Sequence, residues 1–449
     1  LKYETNKKVK RIEVDGQELL LSIVTERLNT GRLYISFIDN VNATNQFKSK
    51  INMSNLCLIG TDRVVTNEGY LQAKELYEMN KPLTYFDGEN EVEGSEMKLR
   101  EKNVDVYKVT LENGLEHTVT DYHSLPILTN RNKIIKTPLK DLKVGDKIAI
   151  QVNKGIFGNK SMEDEAFLLG LYQSDGTQTE KDIMIDIWEN DFDLIDEIKE
   201  RFDRIHYKYG CDKIEVTNQT GKIKKYKNVN PSNFRDCVVT FSKVKKKRLT
   251  SRTLKKALNF EKGYVPKWIW ESDEKTQWQY VRGLMYADGS VNISKGKGNP
   301  VYISYVETNE DFCKELQILF NNLGLQSSIR VLREAGNRLL PDGKGGHKYY
   351  DCKKTYRVLI SNKNSAKELE KHTQFLSRKK VILEDREYRN NSKKAYKILS
   401  IDYMGKEDVY CPTIYTDDHI FVSNGFKTFN CVEICEPTSP ITDVNSDEG

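Results

Sequence analysis

Cys57, Asn430 and Cys431 carry the groups a chain needs to cut and rejoin its own backbone: a thiol, a carboxamide that can cyclise, and a second thiol directly after it. A peptide bond is a poor acyl donor, so thiol attack on the carbonyl of Leu56 needs polarisation and proton transfer. Thr120-Asp121-Tyr122-His123 offers both, a hydroxyl or amide to steady the oxyanion and His123 to protonate the leaving nitrogen. Cys431 would then accept the acyl group. Cyclisation of Asn430 would release residues 57–430 and make the sequence irreversible.

A second chemistry sits inside that block. Leu168–Gly176 reads LLGLYQSDG and Val281–Gly289 reads VRGLMYADG, each with helical rhythm before a terminal Asp-Gly. Gly170 and Gly283 allow two helices to approach closely, which sets Asp175 and Asp288 at one spot. Hard oxygen ligands there suit Mg²⁺, which activates water and stabilises a leaving oxygen in phosphodiester hydrolysis. One Asp-Gly after a helix is an ordinary C-terminal turn; two alike in one module are not. Two basic stretches, one with Lys222, Lys224, Lys225 and Lys227, the other with Lys243, Lys245, Lys246, Lys247 and Arg248, flank expected strands. Such runs are usually solvated faces, but here they match salt-dependent phosphate affinity, with strand side chains reading base edges.

These residues need elements to hold them. With 449 residues, 31% charged and 38% hydrophobic, the chain suits two or three globular domains. No apolar run approaches the roughly 20 residues that span a bilayer, and no signal peptide opens the chain, so a cytoplasmic setting is expected. Eight cysteines without paired short spacing point to reduced thiols rather than a disulfide framework or a zinc site. The net charge of +5 is modest, so DNA binding must rest on local clusters. Residues 1–56 combine a helical rhythm around Glu18–Leu28 with a strand-like Leu33–Ile38 and lack a core of their own. Residues 57–152 show short β runs broken by turns, such as Val104–Leu111 before Glu112-Asn113-Gly114. Residues 153–392 form an α/β module, β texture returns in 393–430, and 431–449 is a polar, acidic tail. The expected fold is mixed, an all-β unit interrupted by an α/β insert.

Residues 57–430 resemble an intein with a Hint-type β fold. The resemblance rests on Cys57–Thr66, on Thr120–His123, and on Val409–Thr413 followed by Asp418–Gly425, in that order. It implies Cys57, Thr120, His123, His419, Asn430 and Cys431 as splicing residues. Two positions depart from the pattern: Phe429 stands where most inteins have histidine, and Cys411 where many have aspartate. His419 is then expected to polarise or protonate near the Asn430 carbonyl, and Cys411 to take part in proton transfer or in coupling the steps.

The paired Asp-Gly motifs resemble those of a LAGLIDADG homing endonuclease, in which the final aspartate of each motif binds metal. That implies two pseudo-symmetric αββαββα-type halves, Mg²⁺ at Asp175 and Asp288, and double-stranded DNA at the uninterrupted insertion site as partner. The family also places lysines near the metals, with Lys243 and Lys363 as weak candidates.

Joined directly, the flanks read FIDNVNATNQFKSKINMSNL then CVEICEPTSPITDVNSDEG, which resembles the active-site region of a class I ribonucleotide reductase large subunit. The resemblance makes Cys431 the radical-bearing cysteine after splicing, with Asn55 and Glu433 binding ribose hydroxyls and moving protons. The rest of that large subunit and its small subunit are then the partners of the joined flanks.

Plainer readings stand beside these. A histidine in a β protein is commonly a structural hydrogen-bonding group, although the ordered motifs weigh against that for His123. Cys411 reads equally as a small buried hydrophobe, and Cys211, Cys237, Cys313, Cys352 and Cys435 read as structural. The function-level alternatives are a Hint-type domain that cleaves without ligation, carrying an inactive endonuclease remnant, and a defunct structural remnant.

Overall fold

The computed structural model describes residues 15–30, 58–129, 131, 133–209, 215–217, 223–225, 235–238, 245–256, 258–293, 301–342, 346–382 and 393–430, with the backbone alone at 26–30, 190, 215–217, 223–225, 235–238, 245 and 256. Cys57, Cys431, Asn55, Glu433, Lys243 and the expected strand Leu33–Ile38 lie outside the described residues. The chain divides into two units, Leu1–Ser54 with Glu433–Gly449, and Asn55–Val432. In the first, the described part is the helix Gly16–Thr30, capped by Asp15 through its bonds to the Gln17 and Glu18 amides. Leu19, Leu20, Leu21 and Val24 on it are exposed.

The second unit contains two larger sheets that each draw strands from both sides of the insert. One has the spatial order Leu58–Ile59, Glu116–Thr120, Lys98–Leu111, Ala395–Cys411, Lys147–Ala149, Ser124–Leu128 and Ile134–Pro138. Its spine is the antiparallel pair of Lys98–Leu111 with Ala395–Cys411, bulged at several points, with Gly405 at φ +98°. Leu58 pairs with Val119 on one side and Tyr410 on the other, so the start of the block, the Thr120 strand and the Cys411 strand share one edge.

The second sheet runs Phe426–Phe429, Ile420–Ser423, Arg63–Thr66, Leu83–Phe86, Glu91–Gly94, with Gly69–Gln72 also on Arg63–Thr66. Its terminal hairpin turns on Asn424-Gly425. Both residues have positive φ, 47° and 79°, as a two-residue type I′ turn requires. The alternation that read as β texture is thus explained by strands whose inward residues, Val64, Val65, Val109, Leu111, Val119, Phe421 and Val422 among them, form the core.

Between these end segments the insert has two halves, and among the described residues each runs helix, two strands, helix, four strands and short closing helices, two strands more per half than the expected αββαββα order. The first half opens with helix Glu163–Asp175 and builds the sheet Gly176–Gln178, Ile183–Trp188, Lys245–Ser251, Arg235–Val238. Helix Glu274–Ala287 opens the second, over Ser290–Ile293, Val301–Glu307, Thr355–Ile360, Ser328–Arg333. A hairpin of Gly336–Pro341 with His347–Cys352 extends that half. The expected strand from Cys237 is seen as Arg235–Val238, and Val239–Phe241 lie outside the described residues.

The two opening helices are the centre of the insert. Helix Glu163–Asp175 is buried on every side from Glu165 to Gln173, as suits a helix enclosed by its own domain. At its closest point to Glu274–Ala287, a Cβ on Gly170 would lie 2.3 Å from the Tyr280 carbonyl oxygen, and one on Gly283 2.3 Å from that of Phe167. Only glycine permits this approach, and it decides where the two helices end.

Candidate functional site

Asn430, His123 and His419 converge in the β unit, all three essentially without solvent exposure. The turn Thr120–His123 is closed by the His123 amide donating to the Thr120 carbonyl, and held below by the Leu139 amide donating to the His123 carbonyl. His123 Nε2 is hydrogen-bonded to Thr428 Oγ1 on the last strand before Asn430. Thr120 Oγ1 and His123 Nδ1 are buried and have no hydrogen-bond partner among the described residues. Burial, then the neighbouring His117 and Lys136, push the His123 imidazole well below its ordinary range, so it is neutral at physiological pH.

His419 is the residue hydrogen-bonded to the terminal asparagine. Its carbonyl accepts from the Asn430 amide at 2.9 Å, and its Nδ1 lies 3.1 Å from the Ile414 carbonyl oxygen. A carbonyl can only accept, so Nδ1 carries the proton and the neutral ring presents the lone pair of Nε2. Burial is the main cause of its lowered pKa. Phe429 and Cys411, the two departures from the intein pattern, pack into one apolar cluster with Val106 and Val409. Cys411 is fully buried there. The positions that usually carry histidine and aspartate have therefore become apolar together.

In the insert, Asp175 is the last residue of its helix and Asp288 caps the other. Asp288 is pushed up to about 6, by burial first and then by the charges of Asp175 and Glu307. Asp175 is raised as well, chiefly by burial. Two neighbouring carboxylates whose pKa values are both raised suit completion by a cation. No cluster of three or more His, Cys, Asp or Glu among the described residues is placed to hold a metal. Two carboxylates are nevertheless a sufficient protein share for Mg²⁺, which keeps waters and takes further oxygens from phosphate.

A family model described as LAGLIDADG-like domain matches residues 276–374. The ribonucleoside-diphosphate reductase NrdEB subunit alpha of Bacillus subtilis (strain 168) is 29% identical over 480 residues, covering 99% of this chain and 42% of that protein. The chain thus spans about two fifths of the length of the curated relative. Solved structures that match include mesophilic variants of the homing endonuclease I-DmoI, at 14% identity and TM-score 0.28 over 47% of this chain and 96% of that one. A variant of the Ssp DnaB mini-intein matches at 8% identity and TM-score 0.26, over 84% of this chain and 100% of that one. The LAGLIDADG-like match thus lies inside a stretch similar to the reductase subunit along nearly the whole chain.

Several residues near the two candidate sites belong to no sequence motif. His117, fully buried, has Nδ1 2.8 Å from Asp62 Oδ2 and stands edge-on to His123 with ring centroids 5.9 Å apart. Asp62 also accepts from the Thr118 amide and from Asn424 Nδ2. Lys136 reaches over the Phe429 ring and lowers the pKa of both His123 and His419. In the insert the lysine beside the carboxylates is Lys262, which donates to the Ser174 carbonyl and feels Asp288, Glu307 and Asp175. Burial lowers its pKa. Lys363 instead opens helix Lys363–Thr373. Within the second basic stretch, Lys246 and Arg248 are bonded to Asp186 on the adjacent strand. The side chains of Lys222, Lys224, Lys225, Lys227 and Lys245 lie outside the described residues. No helix among the described residues is long and apolar enough to cross a membrane.

Proposed function

We propose that residues 57–430 excise themselves and join 1–56 to 431–449, and that the insert at 153–392 cleaves double-stranded DNA at the uninterrupted site in a reductase gene. The observation that carries the first part is the bond from His123 to Thr428, which brings the motif expected to act at Cys57 onto the strand that ends at Asn430. On this reading 57–152 and 393–430 are the two parts of a Hint domain, and the flanks are reductase.

Cys57 attacks the Leu56 carbonyl, Thr120 steadies the oxyanion, and His123 delivers the proton to the Cys57 nitrogen. The acyl group passes from the Cys57 thiol to the Cys431 thiol. His419 supports the last step: its neutral Nε2 takes the proton that the Asn430 carboxamide loses on attacking its own carbonyl, and returns it to the departing Cys431 nitrogen. Cys411, packed with Phe429 in an apolar cluster, takes part in proton transfer or in coupling the steps. The freed Cys431 amine then attacks the thioester on its own thiol, forming the Leu56–Cys431 peptide bond and releasing the thiol. In the joined product Asn55, Cys431 and Glu433 form the reductase site, working with the remainder of the large subunit and the small subunit.

For the endonuclease, Asp175 and Asp288 would hold Mg²⁺, which supplies charge neutralisation and water activation at the scissile phosphate. Lys262 adds positive charge at the same place. His419→Ala tests the splicing assignment: release of the C-terminal flank should slow by about a hundredfold while thiol-dependent cleavage at Cys57 persists. Release at the parent rate would refute the role given to His419. Asp175→Asn should abolish Mg²⁺-dependent cleavage of DNA bearing the joined site, and surviving cleavage would refute the metal assignment.

A further inference from the structure

His123 has a second support, on the strand that carries Asn430. Thr428 is fully buried, pairs with Phe421 across the terminal hairpin, and directs its hydroxyl to Nε2 of His123. His117 stands edge-on to the same ring, with Nδ1 2.8 Å from Asp62 Oδ2, and packs on Phe426 at 5.1 Å between centroids. Phe426 lies two residues before Thr428 on the same strand. One strand, Phe426–Phe429, therefore touches His123 directly, touches the histidine beside it, and ends at Asn430, whose amide it aligns on the His419 carbonyl.

We propose that Thr428 is a positioning residue of the splicing centre, fixing the orientation of His123 from the strand that presents Asn430. The hydroxyl bonded to Nε2 holds the ring in one orientation and leaves Nδ1 as the nitrogen without a partner among the described residues. On the splicing reading, Nδ1 is the nitrogen that serves the leaving amide in the first acyl transfer. Valine at 428 would fill the same volume with no hydrogen-bonding group, freeing the ring to turn. Because the same strand places Asn430, the first and last steps depend on one register, and a slip of that strand by one residue would turn Thr428 away from His123. The inference rests on the splicing reading and goes beyond it by naming a residue that touches no reacting atom.

The test uses the full chain with Thr428→Val and Thr428→Ser. Cleavage between Leu56 and Cys57 by dithiothreitol is followed across a pH series, with circular dichroism checking the fold and Thr428→Ala replacing the valine variant if that one does not fold. The valine variant should react about tenfold more slowly, with a displaced pH profile, and serine should restore both. Parent-like rates in the valine variant would overturn the proposal, as would valine and serine variants equally slow with an unmoved profile, which indicates packing alone. If the parent itself yields no thiol-dependent cleavage, the splicing reading falls too. A reactive parent with an unaffected valine variant removes this proposal and leaves that reading standing.

Discussion

At the scale of single residues, each centre holds a titratable group whose pKa the fold moves from its ordinary value. Asp288 makes the consequence measurable. In an unfolded chain it ionises near its ordinary 3.8, but in the folded protein only near 6. The unfolded state loses its proton first as pH rises, so the site's cost to stability is absent below the lower value, grows between the two, and stands in full above about 6. Asp288→Asn should therefore raise Tm by roughly 2–4 °C above neutral pH, and leave it unchanged near the lower value, while abolishing DNA cleavage. Scanning calorimetry at the two pH values checks this, and an unaltered Tm above neutral pH would argue against a strained carboxylate pair. The pair was legible in the sequence because the same short spacing ending in Asp-Gly occurs twice. Lys262 was not, because it belongs to neither motif and reaches the carboxylates only through the fold.

Among elements, the helix pair Glu163–Asp175 and Glu274–Ala287 and the hairpin at Asn424-Gly425 follow from local chemistry. Glycine at 170 and 283 and the Asn-Gly turn each state a backbone requirement that a short window of sequence displays. The splicing centre is different in kind. Asp62 and Asn424 meet across a separation of 362 residues, and His117 meets His123 only because two strands and a turn bring them together. No period or spacing announces such a network. The helix pair yields a prediction at this scale. Gly170→Ala would set a methyl 2.3 Å from the Tyr280 carbonyl oxygen, a distance that backbone atoms can relieve only by separating the helices. It should destabilise the protein by about 1–3 kcal/mol in chemical denaturation and lower DNA cleavage further, since both aspartates ride on those helices. A variant with parent stability would mean the helices do not pack as described.

Across the whole second unit, the β segments and the insert share a packed boundary. Arg63 lies beside Asp62 and points the other way, into the insert, where it stacks 4.2 Å over the Trp270 ring and pairs with Glu315 at 3.3 Å. Burial lowers the pKa of Arg63 and raises that of Glu315, so the pair is poorly hydrated. Glu315 also accepts from the Val265 amide, and helix Glu310–Asn322 sends Gln317 to the Asn113 carbonyl and Asn321 to that of Gln151. Removing one member of such a pair leaves a buried charge alone. Glu315→Ala should cost about 3–5 kcal/mol in urea unfolding, and it should slow excision as well, because Arg63 is the chain neighbour of the carboxylate that holds His117. Unchanged stability would show that the boundary is wet and incidental. The interrupted order of the domains was visible in the alternation of β and α/β texture, whereas the contacts that join them were not, since they involve side chains with no motif of their own.

The central claim is that residues 57–430 leave the chain and the flanks are joined. Intact-mass spectrometry of the purified chain, incubated under reducing conditions, tests it most directly. The account predicts two products, a free block of residues 57–430 ending in a cyclised asparagine and a single peptide in which Leu56 is bonded to Cys431. An unchanged chain, or separate flanks with no joined peptide, would contradict it.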